Sequence, residues 1–295
     1  MPEVAFVLSP TSDWYLQELA GTLQYELAAQ GVPSSLHLVA FPPPQPERVY
    51  ALLAPDQYVA LEGERALPEE AILRRTMFVC ALHPDGIDRP ETLELLRRAG
   101  AMFELQGRSM LALRRLGIPA QWLRPGYSEA LGRFDPDAER PIDVVSLGPP
   151  SRRRAEHLGR CARVLTRHDR VLEIGDGTQP DPRALLARAK IVLNFHSGED
   201  MSFEWLPALA AIHAGAVLVS EHSAGLAPLI PGEHLLVASP ESLPFVVESA
   251  LRDPERLRQI RTQAHERIRA SLPFALSVAV LRATAVELVG QPLPP

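Results

Sequence analysis

The stretch KIVLNFHSGEDMSFEWLPALAAIHAGAVLVSE, Lys190 to Glu221, decides the fold. Lys190 to Phe195 (KIVLNF), apolar through Ile191–Leu193 and at Phe195, has the pattern of a strand covered on both faces. Asn194 to Trp205 follows, eight of twelve residues polar or glycine, so a loop rather than a second apolar element. A helix is expected to start near Pro207, because proline fits the first helical position and breaks the interior, and to end near Ala214. Ala216 to Ser220 (AVLVS) is the next strand. In such sheets ligands bind at the carboxyl ends of the strands, where loops lead into helix N-termini. The polar loop lies at that place. His196 offers acid/base chemistry or a phosphate donor, and Glu204 a carboxylate for sugar or ribose hydroxyls. Glu221 either faces the same site or charges the start of the next helix. A lone histidine is commonly a satisfied structural residue, and nine are scattered over the chain, so position is what singles out His196.

Outward from this stretch the alternation continues. Upstream, Ile142–Leu147 reads as a strand, 151–167 as a helix, 170–174 as a strand and 182–188 as a helix. Leu147-Gly148-Pro149-Pro150-Ser151 precedes Arg152-Arg153-Arg154: a glycine permitting close approach, a capping serine, and forked cationic donors suited to phosphate. The alternative is a capped helix with solvated arginines. Glu173-Ile174-Gly175-Asp176-Gly177 is a glycine turn after a strand, without the GxGxxG fingerprint. Downstream, a short strand at 234–237 precedes helices opened by Ser239-Pro240-Glu241 and Asp253-Pro254-Glu255, each a capping oxygen before proline and acid. A last apolar helix covers 274–288, and QPLPP reads as a frayed tail.

The first half carries a similar series. Strands are expected at Val4–Leu8, Leu36–Phe41, Tyr58–Leu61, Met77–Leu82, 101–105 and Ala120–Leu123. Helices are expected from Asp13, with Asp13 or Ser12 as cap and Gly31 as stop, and at 91–99 and 107–116. Residues 124–141, rich in Pro, Gly and charge, form the linker. The fold class is therefore α/β, two Rossmann-like domains facing a cleft, divided as 1–126 and 127–273.

Composition removes other classes. With 46% apolar and 22% charged residues the 295-residue chain is not disordered. Thirty basic against 36 acidic residues, net −6, disfavours a nucleic-acid partner. No apolar run reaches a membrane span, and the N-terminus lacks a signal pattern, so a cytoplasmic location is expected. Cys80 and Cys161 are expected as inert core thiols. No Walker loop, HExxH, CxxC or GxSxG is present. Asp85, Asp88 and Glu91 near His83 read as solvated loop acids rather than a metal site, and no metal or cofactor is expected.

The quoted stretch resembles the donor-binding region of group 1 glycosyltransferases of the GT-B fold, through Leu206-Pro207, Gly215 and Ser220-Glu221. It is closer to the variant branch related to spore-maturation-type glycosyltransferase proteins, through Leu193-Asn194-Phe195-His196, Phe203-Glu204-Trp205 and Val219-Ser220-Glu221. Tyr58–Glu62, Leu123–Tyr127 and Asp143–Arg154 extend the likeness, which covers roughly 55–270. The chain also departs from that family. The two glutamates eight positions apart in retaining enzymes fall at Ser202 and Ala210, an arginine of the variant branch is replaced by Pro207, and Ser9-Pro10-Thr11-Ser12 carries no glycine.

The resemblance implies that helix 274–288 crosses back to the first domain. It also implies a metal-independent glycosyltransferase moving a sugar from a nucleotide-sugar to an unknown acceptor. His196, Glu204 and Glu221 are then the catalytic candidates. Gly148, Arg152, Arg153, Gly175, Ser197 and Ser202 would bind the donor, and the acceptor would meet Ser9–Asp13 and Glu62. The missing glutamate pair keeps open a non-catalytic glycosyltransferase-like binding or partner subunit, with a protein partner or homo-oligomer. A nucleotide-sugar epimerase is a third reading.

Overall fold

The computed structural model describes residues 2–82, 87–148, 151–175, 181–196 and 201–290. The chain divides into two compact units. The first takes residues up to Ser12, Leu16–Ala130 and the segment from Phe274; the second takes Asp13–Tyr15 and Leu131–Pro273.

In the first unit β1 (Glu3–Leu8), β2 (Ser34–Leu38), β3 (Arg48–Leu53), β4 (Thr76–Cys80), β5 (Ala101–Glu104) and β6 (Gln121–Trp122) form one parallel sheet in the order β2-β1-β3-β4-β5-β6. β1, β3 and β4 are buried almost throughout, which is why they read as continuous apolar runs. The helices are α1 (Trp14–Ala29), α2 (Pro55–Glu62), α3 (Glu70–Leu73), α4 (Pro90–Leu96) and α5 (Gly107–Arg115). Two expectations fail here. Tyr58–Leu61 is not a strand but part of α2: Pro55 occupies the first turn with Asp56, a helix start that outweighs a short apolar run, and the third strand is the preceding RVYALL. The second strand spans Ser34–Leu38, not Leu36–Phe41, because Val39 adopts φ +67 and turns the chain before the prolines.

The second unit holds β7 (Ile142–Leu147), α6 (Arg152–Thr166), β8 (Leu172–Gly175), α7 (Pro182–Ala187), β9 (Ala189–Asn194), α8 (Trp205–His213), β10 (Val217–Glu221), β11 (Leu236–Ala238), α9 (Leu243–Leu251) and α10 (Pro254–Ser271). Its sheet is parallel, in the order β11-β10-β9-β7-β8. α8 begins at Trp205, two residues before the expected Pro207. Proline at the third helical position costs no bond, since the first four N–H groups of a helix have no intrahelical partner. α9 begins at Leu243 rather than after Ser239: Ser239 O accepts from Ser242 N and Leu243 N, closing a turn, and Pro244 sits in the first helical turn. Asp253 caps α10 as expected, accepting from Arg256 N at 3.0 Å.

The segment expected as a linker is tied down at its far end. Arg140, 7% exposed, donates to Asp135 O and Ala214 O at 3.0 Å each and to Ala187 O, serving the carbonyl ends of α7 and α8. Gly215, at φ +77, leaves room for that guanidinium.

The last helix, α11 (Phe274–Val289), returns to the first unit. Tyr127 O accepts from Phe274 N at 2.9 Å, Arg124 O from Ser277 Oγ at 2.8 Å, and Phe274, Val278, Leu281, Ala285 and Leu288 are buried. No helix among the described residues is long and apolar enough to cross a membrane.

Candidate functional site

In the second sheet β7 has β8 on one side and β9 on the other. The chain reverses direction of travel there, and the carboxyl ends of β7 and β9 with the N-terminus of α6 flank a natural ligand crevice. The residues collected at this point form one connected network. Arg153 grips Glu221 through two parallel bonds, Nη1 to Oε1 at 2.6 Å and Nη2 to Oε2 at 2.5 Å. Nη1 also donates to His196 O at 3.1 Å, and His196 N donates to Glu221 Oε1 at 2.9 Å. The ends of β9 and β10 and the first turn of α6 are thereby locked together.

Ser223 Oγ donates to Glu221 O at 3.0 Å and lies 2.9 Å from His196 Nε2. A hydroxyl has one proton; with it spent on the carbonyl, Oγ accepts from Nε2–H. Nδ1 is buried without a partner among the described residues, on a side chain 2% exposed. Such an atom costs stability unless something answers it. Asn194 Nδ2 donates to Ser220 Oγ at 3.3 Å behind this network, and the His157 ring stacks on Phe195 at 5.2 Å.

Glu221 is the most informative carboxylate. Its side chain is 5% exposed. Burial alone pushes a carboxyl upward, yet the Arg153 guanidinium and the His196 N–H outweigh it and hold Glu221 below its ordinary value of 4.5. It is therefore a fixed anion that orients Arg153.

Arg154 takes the second inward place. Ser151 caps α6 by accepting from Arg154 N at 3.1 Å, and Arg154 Nε donates to Phe195 O at 3.0 Å. Its Nη2 stands 3.4 Å from Glu204 Oε2. Glu204 is held opposite by its neighbours: Phe203 N donates to Ala224 O at 3.0 Å, and Trp205 Nε1 donates to Gly225 O at 3.2 Å. Gly148, at φ +141, lies under the Arg154 guanidinium; a Cβ there would meet Nη1 at 2.7 Å. Gly148 N in turn donates to Gly175 O at 3.1 Å.

The structure thus brings His196, Glu204, Glu221, Arg153, Gly148 and Gly175 to the ends of adjoining strands and helices. Ser202, 8% exposed, bridges to Ala224 on the segment that carries Glu204. Arg152 does not join them. Its side chain is 94% exposed and pairs with Glu156 one turn along α6, since successive helical residues lie about 100° apart and only two of the three arginines can face the sheet. Ser197 lies outside the described residues, as do His83, Asp85, Asp176 and Gly177. Sequence reasoning grouped Arg154 with Arg152 and Arg153 as phosphate donors but left it out of the donor-binding candidates, and it gave Ser223 no role. The capping Ser151, which fixes the phase of α6, was the available signal for Arg154. Among the described residues no group of three His, Cys, Asp or Glu is placed to hold a metal ion.

In the first unit Ser9 Oγ donates to Glu62 Oε1 at 2.6 Å and stands 2.8 Å from Thr11 Oγ1. This polar cluster follows β1, which has β2 on one side and β3 on the other, the corresponding switch point of the first sheet. Cys80 and Cys161 are buried and free; burial drives the first thiol well up and the second to about 12.

A family model described as glycosyl transferase-like matches residues 154–274, which includes Arg154, the polar loop and β10. No curated protein matches in sequence. Solved structures match in fold. HepE of Anabaena, in complex with UDP-glucose, superposes with a TM-score of 0.66 at 12% identity, over 97% of this chain and 100% of that one. An alpha-glucosyltransferase in complex with UDP-glucose and abasic-site DNA gives 0.64 at 8% identity, over 96% and 98%. A glycosyltransferase from Rickettsia africae gives 0.58 at 8%, over 99% of each chain. These likenesses show that the chain has the GT-B fold expected from the sequence.

Proposed function

We propose that this chain is a nucleotide-sugar-dependent glycosyltransferase whose second unit holds the donor. The observation that carries the reading is the Arg153–Glu221–His196 network at the switch point of a sheet whose fold relatives are seen with UDP-glucose. The match of residues 154–274 to a glycosyl transferase-like family supports it, and the three motifs quoted for the spore-maturation-type branch favour that branch.

The chemistry follows from the geometry. Glycosyl transfer leaves a nucleoside diphosphate, and negative charge grows on its oxygens as the bond to the sugar breaks. Arg153 and Arg154, at the N-terminal end of the 15-residue α6, meet that charge. A preorganised cation and helix end act most strongly where water is excluded. Glu221 keeps Arg153 in place before the donor arrives. His196 Nδ1, without a hydrogen-bond partner among the described residues, meets a sugar hydroxyl. Glu204 orients a second hydroxyl. Charge is met by arginine and backbone dipoles, so transfer proceeds without a metal ion. Ser9 and Glu62 are the acceptor-side candidates.

A second reading is a binding or partner subunit without turnover. Ser202 and Ala210, both buried, stand where retaining relatives carry glutamates, and neither supplies a carboxylate. The experiment is a melting-temperature screen with nucleoside diphosphates and their sugars, followed by turnover of the bound donor. Enzyme function predicts stabilisation by one base and slow hydrolysis or transfer, with Glu204→Gln lowering turnover while diphosphate binding stays constant. Stabilisation with no turnover assigns the chain to the binding reading. No stabilisation by any nucleotide overturns the enzyme reading and favours the partner-subunit one.

A further inference from the structure

We propose that the outward face of α11 docks the same face of a second copy of the chain, the two helices lying parallel and in register. The helix is apolar on all sides: of its 16 residues only Arg282 and Glu287 are charged. One side is accounted for, since Phe274, Val278, Leu281, Thr284, Ala285 and Leu288 are buried. The other side exposes Leu276 at 68%, Val280 at 44% and Val286 at 51%, together with Ala279 and Ala283. An ordinary surface helix is polar on its outer face. The preceding α10 follows that rule, with Arg256, Arg258, Glu266 and Arg269 exposed.

The exposed residues have a register. Leu276, Ala279, Ala283 and Val286 are spaced by three, four and three, the a and d positions of a heptad. At about 100° per residue their common direction lies opposite the buried side. Arg282 and Glu287 then take the g and e positions on the two flanks. They stand about 140° apart around the helix and do not meet within one chain.

The charges select the partner and its direction. In a parallel pair the g residue of one helix meets the e residue five places on in the other, which sets Arg282 against Glu287 on both rims. An antiparallel pair sets Arg282 against Arg282. An unrelated apolar partner leaves this self-complementary pattern without a reason. Ala279 and Ala283 let the two backbones approach, and Leu276 and Val286 remove apolar surface from water at either end. Both helices are already folded on their own sheets, so pairing carries no cost of helix formation. A seam of about two heptads is short, so the dimer is weak and its population depends on concentration.

The test is sedimentation velocity of the full chain across about two decades of concentration. We expect a monomer–dimer equilibrium. Leu276→Ser with Val286→Ser should abolish the dimer. Arg282→Glu or Glu287→Arg alone should weaken it about 10-fold, because each sets like charges together at both rims. An equimolar mixture of those two variants should recover the dimer, because each rim again pairs opposite charges. Phe245→Ser, at an exposed position of α9, should change nothing. All these positions are exposed, and melting temperatures confirm folding. A chain that is monomeric at every concentration overturns the proposal. A dimer indifferent to the Leu276 and Val286 substitutions, or one that the mixture fails to recover, also overturns it. A monomer that binds lipid vesicles through Leu276 overturns it as well, and assigns the face to a membrane.

Discussion

Arg153→Ala is the most direct perturbation of the network at the ends of β9 and β10. It leaves Glu221, 5% exposed, as a buried carboxylate without its bidentate cation. Removing one partner of a buried pair costs about 3–5 kcal/mol, and the 24% exposure of Arg153 argues for the lower end, about 3 kcal/mol. Glu221→Gln keeps the shape and leaves the more exposed arginine free to meet water, so its cost is smaller, about 1–2 kcal/mol. The double variant removes the orphaned charge. Its loss should fall short of the sum of the single losses by at least ~1 kcal/mol.

The assay is urea unfolding of the four proteins, followed by the emission of Trp205 in a Trp14→Phe, Trp122→Phe background. The pH dependence has a definite sign. Glu221 sits below its unfolded value of 4.5 in the native state, so its contribution is complete above that value and disappears as pH falls through the lower native value. The coupling energy should therefore be constant near neutral pH and shrink only in acid. Additive losses within about 0.4 kcal/mol at pH 7 would show that Arg153 and Glu221 do not act as a pair, and would refute the reasoning.

Other expectations follow from the same geometry. Gly215→Ala, where φ is +77 and the Arg140 guanidinium fills the space, should destabilise more than Gly225→Ala, where φ is +86 with nothing within 4 Å; equal melting temperatures would refute the packing argument. Gly148→Ala should displace Arg154 and cost about 1–3 kcal/mol in unfolding titrations. His213 is held down to about 3 by burial, then by His265 and Arg183, so it folds neutral; stability should fall as pH drops below 6.5, and His213→Phe should flatten that slope. Native Cys161, with its thiol near 12, should resist alkylation at pH 8 and react once unfolded.

The strands of the second unit were legible because sheets buried on both faces print as apolar runs. KIVLNF and AVLVS became β9 and β10 with small shifts of boundary. The errors arose where local chemistry competed with apolarity. Tyr58–Leu61 looked like a strand, but Pro55 and Asp56 had already committed it to a helix. At the site, position along the strands pointed to His196, Glu204 and Glu221. The choice among Arg152, Arg153 and Arg154 depends on the rotational phase of α6; the Ser151 cap that sets it was visible in the sequence, but the side of α6 that meets the sheet was not. Nor could sequence show that Glu221 serves Arg153, since 68 residues separate the partners.

In the proposed function the second unit holds a nucleoside diphosphate against Arg153. The measurement is calorimetric titration with UDP of the native protein, Arg153→Lys and Arg152→Ser, each checked for folding. Expected are binding to the native protein, a loss of about 10- to 100-fold in Arg153→Lys, which keeps the charge but loses the planar fork, and no change in Arg152→Ser. Equal affinity in all three, or a loss in Arg152→Ser alone, would contradict it.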